Sequence, residues 1–283
     1  MLKISASSRF HTVHPNGSFS GIEMVEHFHK VGFEGIDYDL EAVTDTMDKD
    51  NWRAELSEVV ELAQKYGIRM DFGHLPFHHK GDKRADSVYD MDEIMRWAIE
   101  AAGFAGIKNA VIHPVGKSIP YEEFDPEAEF RKNIEYFTPL AEFAVKHGVV
   151  LAFENMRSPD EAKGKHRFAS TAEEIARLAD HFGMCNCWDF GHANTSKVPQ
   201  GESLRYLGKR LSVLHVNDNH GGEDEHILPY FGTIDWTEAM QGLKDSGFDG
   251  CLNYECRMIR VPAEVREEIG RYAVALGKKL QTL

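Results

Sequence analysis

The chain has 283 residues, 42% of them hydrophobic, with 32 Lys+Arg against 46 Asp+Glu and a formal charge of −14. Such a surface repels a phosphate backbone, and no Lys/Arg cluster is long enough to override it, so nucleic acid is not an expected partner. No apolar run approaches the ~20 residues of a membrane span, and Met1-Leu2-Lys3 leads straight into a strand pattern with no signal peptide, which points to a soluble, cytoplasmic protein.

Leu2 to Ala6 reads as a short apolar strand, followed by a loop through Arg9, His11 and Pro15. Gly21 to Val31 is helical, with Ile22, Val25 and Phe28 on one face. Gly32 to Tyr38 is a glycine-bracketed strand. Asn51 to Tyr66 is an amphipathic helix ended by Gly67, and Ile68 to Leu75 is a third strand. The alternation then repeats: helix Ser87–Phe104, strand Asn109–His113, helix Glu127–His147 with Pro139 as a point of kinking, and strand Val149–Glu154. Next come helix Thr171–Phe182, opened by a capping box in Ser170-Thr171-Ala172-Glu173, and strand Met184–Phe190. Helix Gly201–Lys209, strand Leu211–Val216, helix Trp236–Ser246 ended by Gly247, strand Gly250–Glu255 and helix Pro262–Leu280 complete the chain.

Eight strand–helix units in succession imply parallel pairing through crossovers. The predicted fold class is α/β, a single (β/α)8 TIM barrel over residues 1–283. An open doubly wound sheet is the rival, but Ser5-Ala6-Ser7-Ser8-Arg9 lacks the glycine-rich phosphate loop that would favour it. The four cysteines, Cys185, Cys187, Cys251 and Cys256, do not form a disulfide framework and read as reduced, buried thiols.

The carboxyl ends of barrel strands carry the active site. Read in order, these ends give His74, His113, Glu154, Asp189 with His192, His215 and Glu255. The loop after His215 adds Asp224 and His226. A lone His at a strand end is more often a hydrogen-bonded rim residue than a ligand; the convergence of six strand ends is what points to a metal site. Alternation supports it, since Ala152 shares the face of Glu154 and Val213 that of His215. Buried carboxylates need partners, and a divalent cation is the natural one.

The segments Phe153-Glu154-Asn155, Asp189-Phe190-Gly191-His192, Leu214-His215-Val216-Asn217-Asp218, Asp224-Glu225-His226, Gly232-Thr233-Ile234-Asp235-Trp236 and Tyr254-Glu255 resemble the xylose-isomerase-like TIM-barrel superfamily. It includes sugar-phosphate isomerases and epimerases and the endonuclease IV type of repair enzyme. The resemblance implies a divalent metal (Mn, Zn, Co or Mg) held by Glu154, Asp189, His215 and Glu255, with Glu154 and Glu255 doubling as catalytic acid and base. In the endonuclease IV branch a multinuclear zinc site adds His74, His113, His192, Asp224 and His226, and all of these residue types are present.

The expected function is a metal-dependent sugar or sugar-phosphate isomerase or epimerase, moving a proton through a cis-enediolate with the metal as Lewis acid. The expected partner is a small carbohydrate, and a homo-oligomer stays open. His192 would hold a hydroxyl, Trp188 or Phe72 would pack on an apolar sugar face, and Arg157 and Arg257, just past two ligand strands, would meet an anionic substituent. A multinuclear zinc phosphoesterase is the alternative, another metal-dependent reaction such as a lyase or a small-phosphoester hydrolase is a third reading, and a scaffold protein on a degenerate barrel, which predicts missing ligands, is a fourth.

Overall fold

Each strand of the computed structural model alternates in the sense its sequence dictates. The model describes residues 1–11, 21–47, 49–77, 91–158, 160–258 and 261–283. The barrel strands are β1 (Lys3–Ser7), β2 (Gly35–Asp39), β3 (Arg69–His74), β4 (Asn109–Ile112), β5 (Val150–Glu154), β6 (Cys185–Asp189), β7 (Leu211–His215) and β8 (Cys251–Tyr254), and Ile119–Pro120 pairs antiparallel with Lys165–His166 apart from them. They pair in parallel in the order β8-β1-β2-β3-β4-β5-β6-β7. The cylinder closes just beyond the ends of β7 and β8, where Val216 N donates to Asn253 O at 2.7 Å and Glu255 N to Val216 O at 3.2 Å. The (β/α)8 expectation therefore holds, and every predicted strand is present with no end moved by more than three residues.

Alternation splits the apolar residues into two layers. Phe72, Val111, Ala152, Cys185, Cys187, Val213 and Cys251 fill the barrel interior. Ile4, Ile36, Phe153, Trp188, Leu214 and Leu252 face outward against the helices. The helices are α1 (Gly21–Val31), α2 (Leu40–Thr46), α3 (Trp52–Tyr66), α4 (Met91–Ala105), α5 (Pro126–Lys146), α6 (Ala172–Phe182), α7 (Phe190–Thr195), α8 (Gln200–Leu207), α9 (Trp236–Ser246) and α10 (Arg266–Leu280). Gly67 and Gly247 end α3 and α9 at φ 68 and 76, the left-handed cap geometry glycine adopts without a Cβ clash.

Some expectations shift. The capping box at α6 is one residue later than read: Thr171 Oγ1 accepts from Glu174 N at 3.4 Å, and Glu174 Oε2 accepts from Thr171 N at 3.3 Å. Pro139 lies inside α5, which runs unbroken from Pro126 to Lys146. The terminal helix starts at Arg266, after a single 3-10 turn over Ala263–Val265. The helix start expected at Ser87, and Pro15, lie outside the described residues. Two short helices were not expected. Both α2 and α7 begin where an aspartate ending the preceding strand, Asp39 or Asp189, caps the helix with its side chain. All four cysteines are free and buried. No described helix is long and apolar enough to cross a membrane.

Candidate metal centre

The carboxyl ends of β3 to β8 bring the sequence-predicted acids and imidazoles into one cluster. One ligand atom from each of Glu154, Asp189, His215 and Glu255 lies within 4.8 Å of the others, and all four residues are buried. Register sets this level: β6 and β7 pair Asp189 with His215, and β5 and β6 pair Glu154 with Cys187. A second group, His74, His113 and Glu154, brings one ligand atom from each within 4.8 Å of the others. A third gathers about Asp224, whose Oδ2 lies 3.5 Å from His192 Nε2 and 3.2 Å from His226 Nε2.

The imidazoles are aimed by what holds their other nitrogen. A carbonyl oxygen can only accept, so a ring nitrogen bonded to one must carry the proton. His74 Nδ1 donates to Leu75 O at 2.6 Å, His192 Nδ1 to Asn155 O at 2.7 Å, and His226 Nδ1 to Glu255 O at 2.7 Å. Each therefore turns Nε2 toward a carboxylate. His215 is reversed: Nε2 lies 3.3 Å from Asp37 Oδ2, and Nδ1 faces Glu154 Oε1 at 3.0 Å and Glu255 Oε2 at 3.4 Å. An imidazole held on one side by a fixed acceptor, with its other nitrogen free for a cation, is the usual arrangement of a metal-ligating histidine.

The carboxylates are positioned just as firmly. Asp189 Oδ1 accepts from His192 N at 2.6 Å, and Asp189 Oδ2 accepts from Asn217 Nδ2 at 2.8 Å. Asn155 clamps the backbone beside it, accepting from Asp189 N at 2.6 Å and donating to Asp189 O at 2.9 Å. Glu255 Oε2 is buried with no hydrogen-bond partner. A buried carboxylate oxygen without a donor is costly, and a cation would supply what it lacks.

The protonation pattern carries the same message. Burial alone would raise Glu154, but His215 and His113 hold its carboxyl well below the usual range. Burial pushes Asp189 up to about 7; His192 opposes this, and the nearby Glu255 and Glu154 carboxylates reinforce it. Glu255 falls to about 2 because His215 and His226 outweigh its burial. Against their own burial, His192 is driven up to about 10, chiefly by Asp189 and Asp224, and His215 well above its ordinary value by Cys187, Glu255 and Glu154. Protons on imidazoles thus offset the massed carboxylates, and a bound dication would take over that role and release them.

The remaining candidates separate. Trp188 does not face the mouth. Asp189 points inward, so the residue before it points outward, and Trp188 packs among the helices with Nε1 donating to Gln200 Oε1 at 2.8 Å. Phe72 lines the barrel interior. Arg157 sits at the rim with Nη1 3.8 Å from Glu223 Oε2, and Arg257 is exposed there, its N donating to His226 O at 2.9 Å. Asp218 lies away from the cluster and braces a loop instead. It accepts from Asn219 N, Tyr230 N, Ile234 N and Trp236 Nε1 at 2.9–3.2 Å.

Two contributors were missed. Asp37 shares the inward face of β2 and is joined to Asn253 Nδ2 at 2.8 Å; the alternation of Gly35-Ile36-Asp37 carried that signal. Phe77 stacks on His74 with centroids 4.3 Å apart, and the Arg9 guanidinium lies 4.4 Å from the Phe77 ring centroid. No sequence pattern marked that pair.

The sequence profile of the family described as xylose isomerase-like TIM barrel matches residues 25–273. An uncharacterised protein of Methanocaldococcus jannaschii is 27% identical over 66% of this chain, and the match spans 64% of that protein's own length. The D-psicose 3-epimerase of Agrobacterium fabrum is 24% identical over 82% of this chain and 77% of its own. Among solved structures, the apo 3-keto-D-glucoside 4-epimerase of E. coli superposes with a TM-score of 0.73 at 16% identity, covering 100% of both chains.

Proposed function

Because the chain belongs to the xylose isomerase-like TIM barrel family, we propose that it is a divalent-metal-dependent isomerase or epimerase of a sugar or sugar phosphate. The observation that carries this reading is the cluster of Glu154, Asp189, His215 and Glu255 within 4.8 Å. These residues would hold the cation, which supplies Lewis-acid polarisation of neighbouring substrate oxygens. Three carboxylates and one imidazole suit Mn, Co or Mg, and Zn gains from the extra histidines.

Glu154 and Glu255 arrive from β5 and β8, on either side of the β6–β7 pair, and act as the base that removes a proton beside the carbonyl and the acid that returns one. His215, with its Nε2 3.3 Å from Asp37 Oδ2, keeps its Nδ1 between the two glutamates. His192, anchored to Asn155 O, presents Nε2 to hold a substrate hydroxyl. The epimerase activities named for similar proteins support a small carbohydrate as the partner.

A phosphoesterase with several zinc ions is the second reading, favoured by the two further groups around Glu154 and Asp224. Metal analysis separates them: one equivalent per chain fits the epimerase, and two or three fit the hydrolase. Incubation of the metal-loaded protein with a ketose panel in deuterated water should place deuterium on the carbon beside the carbonyl. No exchange with any sugar would overturn the isomerase reading. Glu154→Gln should lower exchange about 10²–10⁴-fold, the usual contribution of a positioned acid–base group; undiminished turnover would remove Glu154 from the mechanism.

A further inference from the structure

The loop after β5 folds back on itself. Met156 N donates to Ala169 O at 2.7 Å and Arg167 N to Ser158 Oγ at 3.0 Å, so segments 156–158 and 167–169 run side by side. This brings Arg167 near enough to Arg157, three residues beyond Glu154, for the two charges to act on each other. The chain carries 46 acids against 32 bases, yet among the described residues no carboxylate lies within ion-pair distance of Arg167, and its Nε is buried without a hydrogen-bond partner. Among the described residues, the ion-pair contact of Arg157 is a long one to Glu223, a side chain that is 88% exposed. Burial lowers the Arg167 guanidinium from its ordinary value and the adjacent Arg157 adds to that, while Glu154 opposes it. Ala169, in the same turn, holds a left-handed φ of 68, a conformation a non-glycine residue adopts only when its surroundings impose it.

Two neighbouring guanidiniums cost mutual repulsion, and a buried Nε–H without an acceptor costs its desolvation. An oxyanion offers both what they lack, and the guanidinium fork suits phosphate and carboxylate alike. We propose that Arg167, with Arg157 beside it, is the seat for an oxyanion on the substrate, so that the preferred sugar carries a phosphate or carboxylate group in addition to its carbonyl and hydroxyls. This specificity rests on the isomerase reading of the neighbouring acids.

The test compares kcat/KM of the metal-loaded protein for a neutral ketose, its phosphate monoester and a sugar keto-acid. Wild type should favour one charged substrate over the neutral one, and the favoured arm distinguishes phosphate from carboxylate. Arg167→Met should reduce that preference about 30-fold, which is about 2 kcal/mol at 1.4 kcal/mol per tenfold, mostly through KM. Arg167→Lys, which restores charge without the fork, should recover part of it. Equal use of neutral and charged sugars by wild type, or an unchanged preference in Arg167→Met, would overturn the proposal while leaving the isomerase reading intact. If no sugar is turned over, the isomerase reading fails, and the seat is tested by calorimetric titration with inorganic phosphate. Binding about tenfold tighter in wild type than in Arg167→Met supports it, and equal affinity, or no binding to either, overturns it.

Discussion

Asp37 touches none of the acids in the cluster, yet replacing it should weaken metal binding. Its Oδ2 lies 3.3 Å from His215 Nε2 and is itself fixed by Asn253 Nδ2 at 2.8 Å. Asp37→Asn keeps the volume and removes the charge that orients the ring and makes Nδ1 a stronger donor to a cation. Losing such a carboxylate behind a histidine ligand costs about 10–100-fold in metal affinity, or about 1.4–2.8 kcal/mol. At free metal about 100 times the wild-type Kd, bound metal stabilises the wild-type fold by about 2.7 kcal/mol; in Asp37→Asn the gain falls to about 1.4 for a tenfold weaker site and to about 0.4 for a hundredfold weaker one. Urea unfolding with and without chelator measures that gain, and calorimetric metal titration measures Kd directly. A Kd within about twofold of wild type would refute the role assigned to Asp37, and with it the view that His215 is aimed from behind.

Trp188→Phe should leave KM for any sugar substrate unchanged, because the ring packs outside the barrel, and should lower stability by about 1–2 kcal/mol through loss of the bond to Gln200 and of packed area; a large KM change would return Trp188 to the site. His166 lies 2.6 Å from Glu161 and 2.8 Å from Glu174, and these carboxylates, Glu174 foremost, overcome its burial and push it up to about 9. A pKa raised on folding adds stability that is fully present below the unfolded value of about 6.5 and is lost as pH rises through about 9. The gap in urea midpoint between wild type and His166→Asn should therefore be widest near about pH 6 and close by about pH 9.5, and a gap independent of pH would contradict the assignment.

The barrel was legible because its signals are local. Each strand is a short apolar run, each helix has its own stripe, and glycines mark several of the joints. The acids and imidazoles were legible for a related reason: strand ends in a barrel share one rim, so position along the chain reports position in space. Trp188 shows where the reading stopped short, since the alternation that aims Asp189 inward sends its neighbour outward. The one-residue error at the α6 cap came from two adjacent glutamates, Glu173 and Glu174, either of which could have closed the box; the backbone turn chose Glu174. Arg167 was not legible at all. Its place beside Arg157 depends on how segments 156–158 and 167–169 pair, and nothing in their composition announces that pairing.

The loop between β7 and α9 is tied at its base. Asp218 and Ile227 exchange backbone hydrogen bonds at 2.8 and 3.1 Å, and the Asp218 carboxylate gathers the chain again at Tyr230, Ile234 and Trp236. Residues 220–223 lie beyond this knot, with His220, Gly222 and Glu223 exposed, so lengthening or recolouring that tip would leave His215 below it with its aim unchanged. The tip of the loop can then vary while its base stays fixed.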